Sequence, residues 1–484
     1  MLFNSFEFAI FLPVVFLLYW WASGKKLIIQ NAIILIASYY FYACWDWRFL
    51  FLLLFSTLLD FFTGLKMQTS KNQIQKRIWF WISISVNLGF LGVFKYYNFF
   101  AESFAETAKL VGLSVSPWTL QVVLPVGISF YTFHGLSYVI DIYKNRIPAE
   151  SNFIDYAVFV SFFPLLVAGP IERATHLLPQ IKTKRNFDFT KAVLGLKQIL
   201  WGLFKKIVIA DNCAIHANQI FNHFGDYSGS TLILGAFFFS FQIYGDFSGY
   251  SDIALGTARL FGIDLLRNFA FPYFSRDIAE FWRRWHISLS SWFRDYLYVP
   301  LGGSKGGLKM KIRNTLIIFL VSGFWHGANW TFIIWGAINA IYFIPLLITN
   351  RNRNHLEIVA AGKRLPGIQE FFSILTTFGL TMFAWIFFRS PDLSAALAYI
   401  KNIFTPSIIR IPHFEGIGLT IPLFVFLFFF IAIEWLEREH QFALQQFAVR
   451  WPLPLRWIFY STLLICIYYY AVASSTQEFI YFQF

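Results

Sequence analysis

The side chain best suited to acid–base chemistry is His326, which lies in an apolar stretch. No Asp, Glu, Lys or Arg occurs from Leu316 to Leu347. An ionisable side chain at membrane depth is costly to place in lipid, so it is by default a candidate functional residue. Burial favours the neutral imidazole, which can take a proton from a hydroxyl group. We therefore expect His326 to act as a general base. The structural alternative is a histidine bonded to a helix carbonyl.

A second histidine, His286, lies in a segment that mixes tryptophans with basic residues. Its neighbours Arg283, Arg284 and Ser288 offer hydrogen-bond donors that could hold a phosphate or a phosphorylated carrier. The same composition also suits a segment that only binds anionic lipid headgroups. We predict that 276–300 is an amphipathic or re-entrant helix at the cytoplasmic interface.

Two acids, Asp246 and Asp252, lie within an apolar segment and need partners there. They could orient an imidazole, but structural pairing is the preferred interpretation. The expected partners are Arg259 or the arginines of 276–294.

Three further polar residues in apolar segments receive structural interpretations. His134 has no charged neighbour nearby in the sequence, so we expect a satisfied core residue. Lys205 and Lys206 either extend to the membrane interface or neutralise a buried acid.

The sequence lacks the motifs for ATP hydrolysis, metal binding and disulfide formation. The glycine-rich stretch Gly302–Gly307 does not have P-loop spacing, so coupling to ATP hydrolysis is disfavoured. No H-x-x-x-H, D-x-D or C-x-x-C pattern occurs, so we expect no metal site. The widely spaced Cys44, Cys213 and Cys466 suit neither disulfides nor metal ligation and are interpreted as packing residues.

The composition excludes an ordinary soluble protein. Hydrophobic residues make up 57% of the 484 residues and charged residues only 13%, against about 25% charged in soluble domains. The net charge is +13, but the basic residues cluster in loops between apolar spans, which positive-inside topology explains better than nucleic-acid binding. The segment 1–21 lacks a basic start and a cleavage site, and we interpret it as a retained first helix.

The elements that must position these residues are membrane helices. Many windows reach the roughly 20 apolar residues that cross a bilayer. We predict an all-α, polytopic integral membrane protein with about 11 transmembrane helices, formed as one domain over 1–484 with the catalytic motifs in 119–348. The apolar segments are 5–22, 27–44, 49–66, 78–96, 119–140, 153–169, 190–210, 231–262, 314–348, 370–389, 416–436 and 455–474.

Loop charges orient these segments. The basic connections 66–77, 263–313 and 349–369 should be cytoplasmic, which places the N-terminus outside. Segments 153–169 and 314–348 then have basic flanks on both sides, so we expect re-entrant or broken helices there, the second made of one full span and a shorter arm. Irregular backbone at membrane depth is tolerated where it lines a cavity, so His326 should line one.

Motifs along essentially the whole chain resemble the membrane-bound O-acyltransferase (MBOAT) superfamily, and within it the bacterial branch that contains the membrane subunit of alginate O-acetylation. The stretches least expected by chance are Glu280–Ser290 and Phe324–Asn329. The others are Met1–Ser5, Leu124–Phe130, Gly169–Pro170, Asp246–Asp252 and Trp282–Gly303.

The resemblance implies a helical body around a catalytic tunnel, with His326 as the catalytic histidine and His286 as the second active-site residue. It implies transfer of an acetyl group from a cytoplasmic thioester, acetyl coenzyme A or an acyl carrier, to a hydroxyl of an exported polysaccharide or of a periplasmic relay partner. A bacterial inner-membrane location and no bound cofactor follow from the same resemblance, whereas contact with the lipid bilayer and no nucleic-acid binding follow from the composition and the charge distribution.

Within this family frame, the oxyanion of the reaction needs a donor, for which the backbone of 327–329 or His286 are candidates. Peptidoglycan O-acetylation and teichoic-acid D-alanyl transfer remain alternative activities. A transporter with histidine proton relays is a further alternative from another class, but it predicts inverted repeats that we do not find. The expected donor- or acyl-binding residues are Arg283, Arg284, Trp325, Asn329 and Ser288.

Overall fold

The fold is helical throughout the part of the chain that the structure describes. The computed structural model describes residues 1–22, 24, 26–120, 123–167, 169–473 and 478–480, and no strand occurs among them. The all-α prediction is therefore confirmed. The helices are α1 Phe6–Ala22, α2 Leu27–Ala43, α3 Trp47–Thr69, α4 Gln73–Leu91, α5 Tyr97–Leu110, α6 Ile128–Tyr143, α7 Phe153–Ser161, α8 Phe163–Leu166, α9 Ala174–Ile181, α10 Phe189–Leu203, α11 Asp211–Asn222, α12 Gly229–Leu260, α13 Ile278–Arg284, α14 Ile287–Phe293, α15 Gly307–His326, α16 Trp330–Ile348, α17 Ile368–Arg389, α18 Leu393–Ile403, α19 Thr420–Leu436 and α20 Leu453–Ala473.

The protein is a multi-pass membrane protein. Within the described residues, six helical stretches are long and apolar enough to cross a bilayer. This number supports the polytopic class but does not reach the predicted count of about 11 spans. Two shorter apolar helices, α1 and α2, add to it. The six stretches are Trp47–Thr69, Gln73–Leu110, Trp330–Ile348, Ile368–Arg389, Ile417–Leu436 and Leu453–Val472.

The described residues form two compact units. The first comprises 1–192 and 258–266, and the second comprises 193–257 and 267–484. In the first unit, Asp60 of α3 accepts hydrogen bonds from Ser83 (2.5 Å) and Asn87 (2.8 Å) of α4. Gly135 of α6 lies against the same carboxylate, where a Cβ would overlap it. Neutral polar residues and a small residue therefore hold these three helices together.

In the second unit, glycines bring α10 and α12 into close contact. A Cβ on Gly202 would lie 2.6 Å from the Gly249 carbonyl oxygen, and one on Gly249 would lie 2.8 Å from the Gly202 carbonyl oxygen. Such close approach of two backbones requires residues without side chains. The chain continues from α10 into a π-helical segment, Phe204–Ala210, that carries the two lysines of the network described below.

Two boundaries differ from the sequence prediction. The expected connection 97–118 contains the helix α5, because its Glu and Lys residues lower the hydropathy without disfavouring a helix. The expected span 119–140 becomes helical only at Ile128, after Gly127 adopts a left-handed backbone (φ 74°). Residues 121 and 122 of that span lie outside the described residues.

The two segments with basic flanks on both sides are broken, as predicted. The first is interrupted at Phe162, between α7 and α8. The second is interrupted at 327–329, between α15 and α16, which have 20 and 19 residues. Of these two helices α16, but not α15, is apolar enough to cross a bilayer, which agrees with one full span and a shorter arm in 314–348. The apolar run at 314–348 hid the helix start at Gly307, because lysines and an arginine fill the first turns. Helix α15 therefore extends well before the apolar run.

Candidate active site

The hairpin of α15 and α16 holds His326 at its tip. A Cβ on Gly323 would overlap the Phe332 carbonyl oxygen, and a Cβ on Gly336 would overlap the Phe319 carbonyl oxygen. The two helices can therefore approach closely only because both positions are glycine. The Asn329 side chain caps α16 by accepting from the Thr331 N–H at 3.0 Å. His326 is the last residue of α15, directly before this turn.

Aromatic rings surround the His326 imidazole, which is 4% exposed. The ring centroids of Trp325, Trp335 and Phe388 lie 4.9, 5.1 and 5.3 Å from it. We call these three side chains the aromatic cage. Trp335 also stacks on Trp385 of α17, with centroids 5.6 Å apart. These hydrophobic rings shield the His326 imidazole from bulk water.

His286 lies at a strained break between two short helices. The predicted single helix over 276–300 is wrong: α13 ends at Arg284, and His286 caps α14 with a left-handed backbone (φ 44°, ψ 55°). A side-chain-bearing residue rarely adopts this conformation, and such strain concentrates at functional sites. The His286 ring is 1% exposed and lies edge-on to Phe247, with centroids 4.6 Å apart.

One ring nitrogen of His286 is bonded and the other is not. Nδ1 lies 2.9 Å from Oδ1 of Asn268. Nε2 is buried and has no hydrogen-bond partner in the described part of the chain. Burial lowers the pKa of His286 to about 3, so the ring is neutral at physiological pH.

The two histidines share one neighbour, the indole of Trp325. The Trp325 ring centroid lies 4.9 Å from that of His326 and 6.0 Å from that of His286. The sequence predicted both imidazoles as site residues, and the structure brings both of them next to one buried ring. Two proton-accepting groups beside one apolar surface can serve one reacting centre.

Arg283 and Arg284 are engaged with the protein itself. Arg283 donates to the carbonyl oxygens of Asn352 (2.8 Å) and His355 (2.7 Å). Arg284 forms an ion pair with Glu280 at 2.8 Å. These bonds attach the predicted cytoplasmic connection 349–369 to α13. Donor binding by the two arginines stays a prediction.

The remaining predicted binding residues have structural contacts as well. The Ser288 hydroxyl donates to Oδ1 of Asn268 at 2.9 Å. Besides capping α16, Asn329 donates from its side-chain amide to the Pro391 carbonyl oxygen at 2.7 Å. The Gly327 N–H, in the stretch considered as an oxyanion donor, reaches back to the Gly323 carbonyl oxygen at 3.4 Å.

The buried acids pair with lysines and not with the expected arginines. Asp246 lies 2.8 Å from Lys206, and Asp252 lies 2.6 Å from Lys205. Arg259 instead lies 3.9 Å from Asp264. The π-helical segment turns both lysines toward the α12 acids, a geometry that a regular helical periodicity does not predict. Both lysines therefore lie against buried acids, one of the two predicted arrangements, and the structural role of Asp246 and Asp252 stays a prediction.

Sequence reasoning missed two groups of site residues. Asn268, which bonds His286, stands 18 residues earlier in a connection with no motif of its own. Trp335 and Phe388 of the aromatic cage are two among many aromatic residues in apolar helices. Only the four-residue spacing of Gly323 and Gly327 near His326 marked this region as a close helix contact.

The fold and the site together define a helical membrane protein with two buried imidazoles beside a shared indole. The chain belongs to the membrane-bound O-acyltransferase family (MBOAT), whose sequence profile matches residues 143–387. The match includes α12, both histidines and the aromatic cage residue Trp335. The protein is an O-acyltransferase.

Three relatives describe what the chain is similar to. It is 39% identical to the probable alginate O-acetylase AlgI of Azotobacter vinelandii, over 84% of this chain and 78% of that protein. It is 38% identical to the peptidoglycan O-acetyltransferase of Helicobacter pylori, over 83% of this chain and 80% of that protein. It is 31% identical to the teichoic acid D-alanyltransferase of Streptococcus thermophilus, over 50% of this chain and 62% of that protein.

Proposed function

We propose that the protein moves an acetyl group from a cytoplasmic thioester, acetyl coenzyme A, to a hydroxyl group on the exported side of the membrane. The observation that carries this proposal is that the buried imidazoles of His326 and His286 both lie next to the Trp325 ring. The acceptor is an exported polysaccharide, alginate-like or another cell-surface glycan, or a periplasmic partner that relays the acetyl group. No bound cofactor takes part.

In the proposed reaction, His326 takes the proton of the attacking hydroxyl group. The hydroxyl oxygen forms a bond to the thioester carbonyl carbon, which gives a tetrahedral oxyanion. The oxyanion then re-forms the carbonyl group as the carbon–sulfur bond breaks, and the leaving thiolate takes up the proton that His326 accepted, which returns the imidazole to its neutral form. General-base catalysis of this kind contributes about 10²- to 10⁴-fold. The aromatic cage limits competing hydrolysis by excluding bulk water.

Similarity to the relatives supports acetyl over D-alanyl transfer. The O-acetylase and O-acetyltransferase relatives match at 38–39% identity over more than four fifths of this chain. The D-alanyltransferase matches at 31% over half of it. Peptidoglycan O-acetylation is the second candidate function, because that relative is as similar as the alginate O-acetylase.

The proposal includes a location and a topology. We place the chain in the bacterial inner membrane as one domain, with about 11 spans and broken helices around a tunnel. The basic connections 66–77, 263–313 and 349–369 support a cytoplasmic side at which the phosphates of coenzyme A would be attracted. Arg283 and Arg284 lie in this basic region.

The decisive test is His326→Ala in purified protein, assayed with radiolabelled acetyl coenzyme A and candidate glycans. Loss of the base should lower the transfer rate by about 10³-fold or more while thermal unfolding in detergent stays near that of the parent protein. His223→Ala, at an exposed histidine, is the matched control and should transfer normally. Normal transfer by His326→Ala would remove the catalytic assignment.

The donor is tested in the same assay. Labelled acetyl coenzyme A should yield acetylated glycan, whereas a D-alanyl carrier protein should yield no product. The reverse result would move the proposal to D-alanyl transfer. Separate arms with alginate, peptidoglycan fragments and a periplasmic extract distinguish the acceptors.

A further inference from the structure

We infer that Asn268 is a positioning residue that fixes the tautomer of His286, so that Nε2 accepts a hydrogen bond from the substrate. This inference rests on the proposed function, in which His286 belongs to the active site. It also excludes the neutral His286 ring as a donor to the oxyanion, because the only ring N–H then points at Asn268.

The direction of the bond between the two side chains follows from a third group. The backbone N–H of Ser288 faces the same atom of Asn268, at 3.4 Å, and a backbone N–H can only donate. The Ser288 hydroxyl also lies 2.9 Å from it. That atom is therefore the amide oxygen, an acceptor. Nδ1 of His286, 2.9 Å away, must then carry the proton.

Asn268 is itself held in place, as a positioning residue must be. Its side chain is 1% exposed, and its Nδ2 donates to the hydroxyl oxygen of Ser251 on α12 at 3.0 Å. The backbone carbonyl oxygen of Asn268 accepts a hydrogen bond from the N–H of Ile287, the residue after His286, at 2.9 Å. The side chain and the backbone of Asn268 are therefore both anchored, and the residue is held next to the strained turn at His286.

The backbone pairing continues on the other side of the turn. The Ala270 N–H donates to the Arg284 carbonyl oxygen at 2.9 Å. The segment 268–270 thus runs alongside 284–287 and brackets the left-handed residue between two backbone hydrogen bonds. This pairing supplies the constraint that keeps a left-handed histidine in place.

The imidazole of His286, including its buried and unbonded Nε2, lies among apolar rings. The rings in contact with the imidazole are Phe247 of α12, Phe269 and Trp325 of α15, and none of them titrates. The nearest charged residue on α12, Asp246, pairs with Lys206. A buried acceptor without a partner is costly, so a substrate O–H or N–H group that fills it binds with specificity.

The charged residues on the segment of His286 itself point elsewhere. Arg283 donates to the carbonyl oxygens of 352 and 355, and Arg284 pairs with Glu280. No charge therefore competes with Asn268 for control of the imidazole within the described contacts. A change at Asn268 should act on the titration of His286 directly.

The test compares two substitutions of Asn268. Asn268→Leu keeps the approximate volume but removes the acceptor, so the tautomer is no longer fixed, and kcat should fall about 10- to 100-fold. Asn268→Asp keeps an acceptor and should retain most of kcat. Its carboxylate stabilises the imidazolium and raises the pKa of His286, so activity should be lost at a higher pH on acidification than in the parent protein.

Matched variants separate this inference from the proposed function. His286→Ala should lose at least as much kcat as Asn268→Leu, and the double variant should lose no more than His286→Ala alone. Asn314→Leu replaces another buried asparagine and should leave the acid limb of the pH profile unmoved. A normal rate for His286→Ala would refute the active-site role of His286.

A low rate for His286→Ala with a normal rate for Asn268→Leu would overturn only the inference about Asn268. So would an unmoved acid limb in Asn268→Asp together with lowered thermal stability, because that result describes a purely structural asparagine. A shifted acid limb with an unchanged melting temperature would support the inference.

Discussion

Two buried histidines, His134 in the first unit and His286 in the second, have the same exposure and opposite hydrogen-bonding patterns. Each is 1% exposed. Nε2 of His134 accepts the backbone N–H of Glu172 at 3.1 Å, so the protein itself uses that nitrogen. Nε2 of His286 has no partner among the described residues. Nδ1 of His134 likewise has no partner among the described residues, so burial and one unbonded nitrogen are common to both rings. The two histidines differ in which nitrogen the protein uses, Nε2 in His134 and Nδ1 in His286.

The buried acids of the two units differ in the charge of their partners. Asp60 is held by the neutral donors Ser83 and Asn87. Asp246 is held by Lys206, which also pairs with Asp211 at 2.8 Å. Asp60 and its two donors join α3 to α4. Asp246 of α12 forms its ion pair with Lys206 directly before Phe247, whose ring contacts His286.

The largest effect on kcat should come from removing the His286 side chain, and removing the His134 side chain provides the comparison. His286→Ala should lower kcat by about 10²- to 10⁴-fold with little change in thermal stability. His134→Ala leaves the Glu172 N–H without an acceptor and should cost about 1–3 kcal/mol of stability while kcat per folded molecule stays normal. Steady-state transfer kinetics and thermal unfolding in detergent measure both quantities.

A large loss of kcat in well-folded His134→Ala would break the distinction between the two residues. The sequence prediction of a satisfied core histidine at this position would then be wrong, and the active site would have to include part of the first unit. The proposed roles of His326 and His286 would need a third participant.

The next effect concerns the acids. Lys206→Met should destabilise the protein by about 3–5 kcal/mol, because it leaves Asp211 and Asp246 buried without their cation. Asp60→Asn keeps an acceptor for Ser83 and Asn87 and should cost about 0.5–1.5 kcal/mol. Thermal or denaturant unfolding in detergent compares the two variants under one set of conditions.

Partial recovery in the double variant Lys206→Met, Asp246→Asn would show that the unpaired carboxylate causes the loss. Equal destabilisation by Lys206→Met and Asp60→Asn would contradict the proposed difference between a charged and a neutral network.

The sequence was sufficient to predict the helical membrane class and both broken segments, and it singled out the two histidines that the structure places next to Trp325. Apolar runs and loop charges respond to the bilayer, whose thickness and chemistry are the same for every chain. His326 stood out because an ionisable residue in such a run is rare. The sequence also predicted that Lys205 or Lys206 could neutralise a buried acid, but it gave the acids the wrong partners.

The remainder depended on tertiary geometry. Asn268 approaches His286 through a turn that no local pattern specifies, and the π-helical segment after α10 changes which way its lysines face. The aromatic cage consists of rings from α15, α16 and α17, and ring type alone does not distinguish Trp335 from other buried tryptophans. Side-chain contacts between segments that are distant in the sequence arise from tertiary packing, and they cannot be predicted from the local pattern of a single sequence.

The smallest effect on stability should come from a substitution of Arg283. This substitution tests whether Arg283, near His286, has a structural role or binds the donor. Its guanidinium bridges the carbonyl oxygens of Asn352 and His355. Lys cannot reproduce two divergent planar bonds, so Arg283→Lys should cost about 1 kcal/mol of stability while KM for acetyl coenzyme A stays unchanged. A raised KM with an unchanged melting temperature would instead assign Arg283 to donor binding, and the structural group would then be confined to residues that contact only protein.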